Sequence, residues 1–531
     1  MPTSSSRTTS PRVDLETLAS WGTENLTRVV AIDSQSDERS QTIPSTEGQR
    51  RLSDALRAFF AELGLEGEQD AYANLIVRIP ATPGATGPAL ALMVHMDTSE
   101  GTEAIPALEV VPRWDGSRIA YPANGRLTVS AERYPATRDF VGHDVLHGPG
   151  RGPLGLDDKL GMSELMTLAQ VLVREPAIPH GDVLLVFRPD EEIGRMAAVE
   201  GLSVELARRG VRYGYTVDGI GAFEVNAENF NAARAKVSFA GRPLAPTGTL
   251  GREVTLRIEG CKTHGATAKA EGYLNATVVL ARAGIVGPVP VDFRSDSTAE
   301  VNADVTWLLS GDTEAALDRA EADLVARIEA VLAPHAWKGA AVTVTGRAAP
   351  TGTRTDAAVR LVEHLSHFLH GAAGSRPSPL LSEDSEGFQG YSNPYFVERD
   401  GDGLCLHYRL RDFDPERLRA REAHIREVAS LTDLPVVVAQ QYINMGPAMA
   451  RHPELVTWAE TALAALGETA RRTPIRGGTG VDPFLAKGIP VANLGTGYFA
   501  PESEKELTSR QMLAKTALWL VHLVQVVAQA A

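Results

Sequence analysis

The stretch Ala89-Leu90-Ala91-Leu92-Met93-Val94-His95-Met96-Asp97 decides the predicted fold. Its apolar residues run almost without interruption and then give way to a histidine and an aspartate. Continuous apolar strands suit a sheet that is covered on both faces. In a His-x-Asp sequence the middle residue points away, so both polar side chains lie on one side of the strand end. The stretch therefore predicts a buried strand with polar side chains at its carboxyl end.

Three further segments place carboxylates in a similar setting: Leu156-Asp157-Asp158-Lys159, Pro189-Asp190-Glu191-Glu192 and Thr216-Val217-Asp218-Gly219. Open α/β folds build their sites from loops at the carboxyl ends of strands. A single aspartate after a strand is usually a turn or a cap, but four such segments together favour a shared site. Oxygen ligands combined with imidazole suit zinc, manganese or cobalt. The segments predict a paired divalent-metal site with a bridging carboxylate and an activated water.

Composition excludes several classes of protein. The chain has 531 residues and a formal charge of −15, and this acidic balance argues against a nucleic-acid-binding domain. Two cysteines, Cys261 and Cys405, exclude a disulfide scaffold and a cysteine-rich zinc module. The absence of an apolar run of about 18 residues predicts no membrane span. Residues 1–12 are rich in Ser, Thr and Pro without a secretory core, which predicts a disordered leader on a cytoplasmic protein.

The order of strand and helix patterns predicts an α/β fold. Residues 13–231 and 445–531 are predicted to form one catalytic domain with a mixed sheet flanked by helices. Between them we expect an inserted α+β region of two similar halves, residues 232–350 and 351–444. The junction Ser310-Gly311-Asp312-Thr313-Glu314 compares with Asp412-Phe413-Asp414-Pro415-Glu416. This recurrence leaves both a duplicated unit and a coincidence open.

The chain resembles the peptidase T branch of the two-zinc exopeptidase family, which also holds carboxypeptidase G-like enzymes and peptidase V. The resemblance runs from roughly Leu15 to the C-terminus. The motifs that carry it are Pro44-Ser45-Thr46-Glu47-Gly48-Gln49, His95-Met96-Asp97-Thr98-Ser99, Gly155-Leu156-Asp157-Asp158-Lys159, Pro189-Asp190-Glu191-Glu192-Ile193-Gly194, Tyr215-Thr216-Val217-Asp218-Gly219, Glu228-Asn229-Phe230-Asn231-Ala232-Ala233, His264 with Thr267-Ala268-Lys269, Arg411-Asp412-Phe413-Asp414 and Pro474-Ile475-Arg476-Gly477-Gly478-Thr479.

The resemblance implies a metal-dependent exopeptidase that acts on short peptides, first of all an aminopeptidase on tripeptides. It implies two divalent metal ions, with zinc expected and manganese or cobalt as alternatives. His95 and Asp218 would hold one metal, Glu192 would hold the other, and Asp157 would bridge both. Asp158 and Asp190 are interpreted as supporting or capping residues rather than ligands.

The same resemblance implies the catalytic and substrate-binding residues. Asp97 would orient His95, and Glu191 would be the general base that later gives a proton to the leaving amine. His264 would stabilise the tetrahedral oxyanion. Arg411 and Arg476 would grip the terminal carboxylate of the substrate, a task that suits the guanidinium group.

The chain departs from the family at its last metal ligand. The family has a His there, shortly before a Glu, whereas the loop Gly497–Glu506 contains no His. Counting back from Glu506 puts Glu502 at the ligand position, and a carboxylate can replace imidazole. We expect a retained site with a harder ligand set. The alternative is a lost second metal and a weakened hydrolase or a peptide-binding homologue.

Two other departures concern substrate and assembly. After Thr479 the family has Asp-Gly, whereas this chain has Gly480-Val481-Asp482, so a strict tripeptide preference does not follow. A dipeptidase, carboxypeptidase or amide deacylase stays open as an alternative, because the resemblance includes peptidase V-like lids, which serve such substrates. The inserted region, the family's lid, is also longer here. Its first half carries His264 but has Leu309 where the second half has Arg411, and the second half shows no equivalent of His264. We therefore expect a pseudo-dimeric lid on a monomer, with a homodimer as the alternative.

Overall fold

The computed structural model describes residues 8–244, 249–261, 269, 272–295, 302–350, 354–370, 380–381, 383–387 and 389–530. The chain divides into two compact units. The first combines Met1–Asn229 with Asn444–Ala531, and the second is Phe230–Ile443.

The first segment of the first unit alternates strands and helices. Its elements are α1 (Leu15–Val30), α2 (Glu47–Glu62), β1 (Gly67–Gln69), β2 (Leu75–Ile79), β3 (Ala89–His95), β4 (Glu109–Val111), β5 (Ile119–Tyr121), β6 (Asn124–Val129), a 3-10 helix (Pro135–Phe140), β7 (Val145–His147), α3 (Leu156–Arg174), β8 (Val183–Arg188), α4 (Ala197–Arg208), β9 (Val211–Gly219) and β10 (Glu224–Asn226).

The second unit has α+β character. Its elements are β11 (Asn231–Phe239), β12 (Leu250–Glu259), α5 (Ala276–Ala283), β13 (Val289–Ser295), β14 (Ala303–Gly311), α6 (Glu314–Leu332), a 3-10 helix (Ala333–Lys338), β15 (Ala341–Ala348), α7 (Ala357–His370), β16 (Tyr391–Asp400), β17 (Gly403–Asp412), α8 (Pro415–Leu431) and β18 (Val436–Tyr442).

The chain then returns to the first unit. The remaining elements are α9 (Gly446–Met449), α10 (Pro453–Ala464), β19 (Arg471–Arg472), α11 (Asp482–Ala486), β20 (Val491–Gly495), β21 (Leu507–Ser509) and α12 (Arg510–Ala528).

The first unit is built on an eight-stranded mixed sheet in the order β1-β2-β8-β3-β9-β20-β10-β19. Its central neighbours β8, β3, β9 and β20 run parallel to one another, while β2 pairs antiparallel with β8. All residues of β8, and all of β3 except Ala89, are buried. The predicted α/β fold with a mixed sheet is confirmed, and β3 is the buried strand that its apolar run predicts.

Helices α1 and α3 pack against each other and against α12, and α10 also packs against α12. Of the described residues, those of α12 form the one helix that is long and apolar enough to cross a bilayer by length and composition. Its apolar window is 83% buried inside the protein, as expected of a core helix.

The second unit contains two halves with the same element order, strand-helix-strand-strand-helix-strand. The nested half comprises β12, α5, β13, β14, α6 and β15. The split half comprises β11, α7, β16, β17, α8 and β18. Their sheets have matching orders, β13-β14-β12-β15 and β16-β17-β11-β18. The predicted inserted α+β region of two similar halves is therefore confirmed in its architecture.

The pairing of β11 corrects the expected division between the halves. The predicted first half, residues 232–350, includes most of β11, but β11 pairs antiparallel with β17 and β18 of the split half. The nested half is thus inserted directly after the first strand of the split half. Chain adjacency favoured the wrong grouping because both partners of β11 lie far away in sequence.

The ladders also correct the predicted equivalence of Leu309 and Arg411. Thr313 caps α6 and Asp414 caps α8, so counting back from the caps aligns Ser310 with Arg411. The strand register agrees, because Ser310 pairs with Gly251 as Arg411 pairs with Ala232. The nested half still has no arginine at this position.

Gly161 allows α3 to lie close to the sheet, and its replacement tests this packing. A methyl group on Gly161 would overlap the Val217 carbonyl oxygen and the Asp158 carboxylate. We expect Gly161→Ala to lower the free energy of unfolding by about 1–3 kcal/mol, measured as a lower Tm. Gly201→Ala in α4 is the control, because nothing lies within 4 Å of its added methyl group. An alanine that is equally tolerated at both positions would contradict this account of the packing.

Candidate metal centre

Three adjacent parallel strands deliver polar side chains to one edge of the sheet. His95 is the last residue of β3, and Asp218 lies one residue before the end of β9. Glu191 and Glu192 follow β8, which ends at Arg188. Because β8, β3 and β9 are parallel neighbours, their carboxyl ends meet at the same edge. The predicted strand-end site is therefore assembled at one place.

The first turn of α3 adds two aspartates. Ligand atoms of His95, Asp157 and Glu192 lie within 4.8 Å of one another, and so do those of His95, Asp158 and Asp218. His95 Nε2 is 2.9 Å from Asp157 Oδ1 and 3.4 Å from Asp218 Oδ1. The structure thus brings together four of the predicted ligands. It also places Asp158 in a candidate ligand group, although the sequence interpretation gave that residue only a supporting role.

The electrostatics of this cluster fit a bound cation. Burial, followed by the nearby charge of Asp218, raises the pKa of Asp157 to about 6. Burial, followed by the charge of Glu502, raises the pKa of Glu192 well above its usual range. Burial alone would lower the pKa of His95, but Asp218 and the other carboxylates raise it well above its usual range. Among the described residues, the buried Oε1 of Glu192 has no hydrogen-bond partner. A divalent cation would offset the repulsion among these carboxylates, and the unpartnered Glu192 oxygen is available to bind it.

Glu502 lies near the cluster, on a loop that Glu506 holds. The charge of Glu502 acts on both Glu192 and Asp157. Buried Glu506 accepts hydrogen bonds from the amides of Gly155, at 2.7 Å, and Leu156, at 3.1 Å, through Oε2. Its Oε1 accepts from the amide of Glu502 at 2.7 Å. Glu506 therefore ties the start of α3 to the loop before α12, and ligation by Glu502 stays a prediction.

Asp97 supports the centre in a way that differs in detail from the prediction. Nδ1 of His95 lies 2.9 Å from the Asp97 carbonyl oxygen and 3.4 Å from its carboxylate. The carboxylate instead accepts hydrogen bonds from the amides of Glu191, at 2.9 Å, and Glu192, at 3.0 Å. Asp97 thus contacts the imidazole mainly through its main chain and fixes the backbone of the predicted base and ligand.

Two side chains that the sequence did not single out contact the centre. The Tyr498 hydroxyl donates to Asp157 Oδ2 at 3.1 Å, and Tyr498 is buried. Arg188 Nη2 lies 3.5 Å from Glu191 Oε1. Burial raises the pKa of Glu191, and the charge of Arg188 acts in the opposite direction. A tyrosine in a loop and an arginine at a strand end have no periodic pattern that would have marked them.

The remaining predicted residues are placed as follows. His264 lies outside the described residues. Arg411 belongs to the second unit, where its Nη1 donates to Gln441 Oε1 at 2.9 Å and its guanidinium lies 5.2 Å from the Tyr442 ring centroid. Arg476 belongs to the first unit and is partly buried in the loop before α11. Their catalytic and substrate-binding roles stay predictions.

Comparisons with known proteins identify the family. The profile of Peptidase family M20/M25/M40 matches residues 131–525. Peptidase T of Geobacillus sp. (strain WCH70) is 26% identical over 483 residues, covering 89% of this chain and 90% of that protein.

Two solved structures share the fold. A tripeptidase from Staphylococcus aureus has a TM-score of 0.51 at 17% identity, covering 96% of this chain and 99% of that chain. The aminoacylhistidine dipeptidase from Vibrio alginolyticus has a TM-score of 0.52 at 16% identity, covering 97% of this chain and 98% of that chain. The family match spans most of the sequence, and the chain accordingly belongs to Peptidase family M20/M25/M40 as a peptidase T-like metallopeptidase.

Proposed function

We propose that the protein is a cytoplasmic two-metal exopeptidase that removes the N-terminal residue from tripeptides and similarly short peptides. The observation that carries this proposal is the convergence of His95, Asp157, Asp218 and Glu192 beside Glu191 at one sheet edge. Similarity to proteins named peptidase T, over most of both chains, supports the tripeptide preference.

In the proposed centre, His95 and Asp218 would hold one divalent ion, Glu192 and Glu502 would hold the other, and Asp157 would be a ligand of both. Bound ions of this kind polarise a carbonyl group and lower the pKa of water. Zinc is the expected metal. Because the Glu192–Glu502 side offers only oxygen donors, manganese and cobalt are the alternatives.

Side chains of the protein then carry out the proton transfers. Glu191 accepts a proton from the attacking water and delivers it to the leaving amine. The Asp97 carboxylate keeps Glu191 in place by accepting a hydrogen bond from its backbone amide. His264 keeps the oxyanion-stabilising role that the resemblance implies, and Arg411 and Arg476 keep the role of binding the substrate carboxylate.

A matched set of peptides tests the proposed specificity. Ala-Ala-Ala is expected to be hydrolysed at its first bond, whereas the N-acetylated form is not, because an aminopeptidase requires the free amine. Ala-Ala tests the dipeptidase alternative, and Ala-Ala-Ala amide tests the need for a free carboxylate. Product release is measured by mass spectrometry with added zinc, manganese or cobalt. Faster cleavage of the acetylated peptide than of the free one would overturn the aminopeptidase assignment.

Glu191→Gln is the control for the same assay. The amide keeps the shape of the side chain but cannot accept the proton, so kcat should fall by about 10²–10⁴-fold. Bound metal, measured by elemental analysis, should stay at the wild-type level. Unchanged hydrolysis by Glu191→Gln would show that another group is the base.

Metal stoichiometry tests the assignment of Glu502. We expect two divalent ions per chain in the wild-type protein, fewer in Glu502→Ala, and two again in Glu502→His, which restores the ligand of the family pattern. Elemental analysis after equilibrium dialysis gives the count without depending on activity. One ion or none in the wild-type protein would remove the basis for a two-metal mechanism.

The contacts between the two halves of the second unit support a monomer. Helix α5 of the nested half contacts β16 of the split half, and α7 of the split half contacts β13 of the nested half. The equivalent helices α5 and α7 also contact each other, as do the equivalent strands β13 and β16. This reciprocal pattern is that of an isologous two-fold interface, here completed within one chain.

We therefore expect a single species of monomer mass by sedimentation velocity from micromolar to nanomolar concentrations. An internal pseudo-dimer has already used the surface that two chains would share. A dimer that persists at nanomolar concentration would contradict this proposal.

A further inference from the structure

Arg188 is a buried cation between the metal centre and the loop that carries Arg476. It ends β8 and is only 1% exposed. In the parallel ladder it is the partner of His95, and its carbonyl oxygen accepts from the Met96 amide at 2.7 Å. Its position is therefore fixed by the same strands that present the predicted ligands. Such deep burial excludes ordinary solvation of the charge and requires specific partners.

One nitrogen of the Arg188 guanidinium lies close to both the Glu191 carboxylate and the loop that carries Arg476. Nη2 donates to the Thr479 carbonyl oxygen at 2.7 Å and lies 3.5 Å from Glu191 Oε1. Thr479 lies three residues after Arg476 in the same loop. A single side chain thus connects the predicted general base with the predicted carboxylate-binding loop.

Gly480 provides the space for this connection. Its φ is +56°, and a methyl group at its Cα would overlap Arg188 Nη1. Gly480 is also the position where the chain departs from the family pattern, in which an aspartate follows the Thr. The departure and the buried arginine therefore form one local arrangement, since the guanidinium occupies space that a side chain at this position would need.

We propose that Arg188 is a positioning residue that couples the placement of Glu191 to the placement of the Arg476 loop, with Gly480 as the residue that admits it. This coupling rests on the proposed function, because it needs Glu191 as the base. A fork of fixed nitrogens suits such a task better than a flexible ammonium. When a substrate carboxylate orders the Arg476 loop, the Arg188 guanidinium then also fixes the position of Glu191.

Arg188→Met tests the coupling, with Ala-Ala-Ala as substrate. We expect kcat to fall by about 10–100-fold, because misplacement of a catalytic group by about 1 Å has this order of effect. KM should rise as well, because the loop loses its anchor. Bound metal should stay at the wild-type level. Arg188→Lys keeps the charge but not the planar guanidinium group, so its kcat should lie between those of the wild-type protein and Arg188→Met. Arg78→Met is the control, since Arg78 is a largely exposed arginine on β2 paired with Asp182.

A double-mutant cycle separates this contact from general packing. Gly480→Ala should lower kcat in the wild-type background, where the methyl group displaces the guanidinium. In an Arg188→Ser background it should cost much less, because only the backbone strain remains. Where the Arg188 variants do not fold, Gly480→Ala alone still tests the contact, because it keeps the arginine; wild-type kcat in that variant would overturn the coupling. Additive effects, or wild-type kcat and KM in a folded Arg188→Met protein, would overturn the coupling.

Glu191→Gln assayed in parallel distinguishes the two levels of failure. Full activity of Glu191→Gln would overturn the assignment of Glu191 as the base, the part of the proposed function on which the coupling rests, whatever Arg188 does. A low kcat of Glu191→Gln together with wild-type kcat and KM of Arg188→Met would overturn only the coupling.

Discussion

Repulsion among the carboxylates that converge where three parallel strands end and α3 begins is the constraint on which the first unit depends. Asp157, Asp158, Asp218 and Glu192 surround the single imidazole of His95, and burial raises the pKa values of three of these acids. Groups that repel one another do not assemble without a scaffold, because the desolvation and the repulsion both oppose the charged forms. The buried parallel strands and the first turn of α3 supply that scaffold. The strand order brings His95, Asp218 and Glu192 to one edge, and α3 adds Asp157 and Asp158. These carboxylates would serve as ligands of a bound cation, whose charge would offset their repulsion.

Hydrogen bonds to the backbone hold the loops of the centre more directly than contacts between its side chains do. Glu506 accepts from amides on both the α3 start and the loop before α12. Asp97 accepts from the amides of Glu191 and Glu192. Both acceptors are buried, so each hydrogen bond lies in a low-dielectric medium, where it is stronger than in water. These hydrogen bonds therefore position the segments that carry the predicted metal ligands without the help of a metal ion. Outer contacts of this kind commonly tune metal affinity and orientation.

The sequence predicted what local pattern can specify. Apolar runs predicted β3 and β8, and strand-end placement predicted that His95, Asp218 and Glu192 would meet. Nonlocal pairing was beyond this reasoning: β11 was grouped with the strand that follows it, although its partners lie more than a hundred residues away. Strands β13 and β16 were not predicted. Tyr498 and Arg188 escaped notice because a loop tyrosine and a buried strand-end arginine acquire meaning only from what lies beside them. The family resemblance supplied roles, such as that of His264, that pattern alone did not.

The nested topology explains why the two halves of the second unit differ. In the nested half, β12 leads into the segment that contains His264 in the sequence. The topologically equivalent point of the split half follows β11, and there the chain departs into the whole nested half. In the sequence, the connection from β11 to α7 is therefore interrupted by the nested half, and its two pieces, residues 240–249 and 349–356, contain no His. At the other end of the repeat, the split half keeps Arg411 where the nested half has Ser310. In a symmetric dimer one sequence must serve both copies. Once both copies lie in one chain, that requirement is lifted, and each half can keep only the residue that its own position uses.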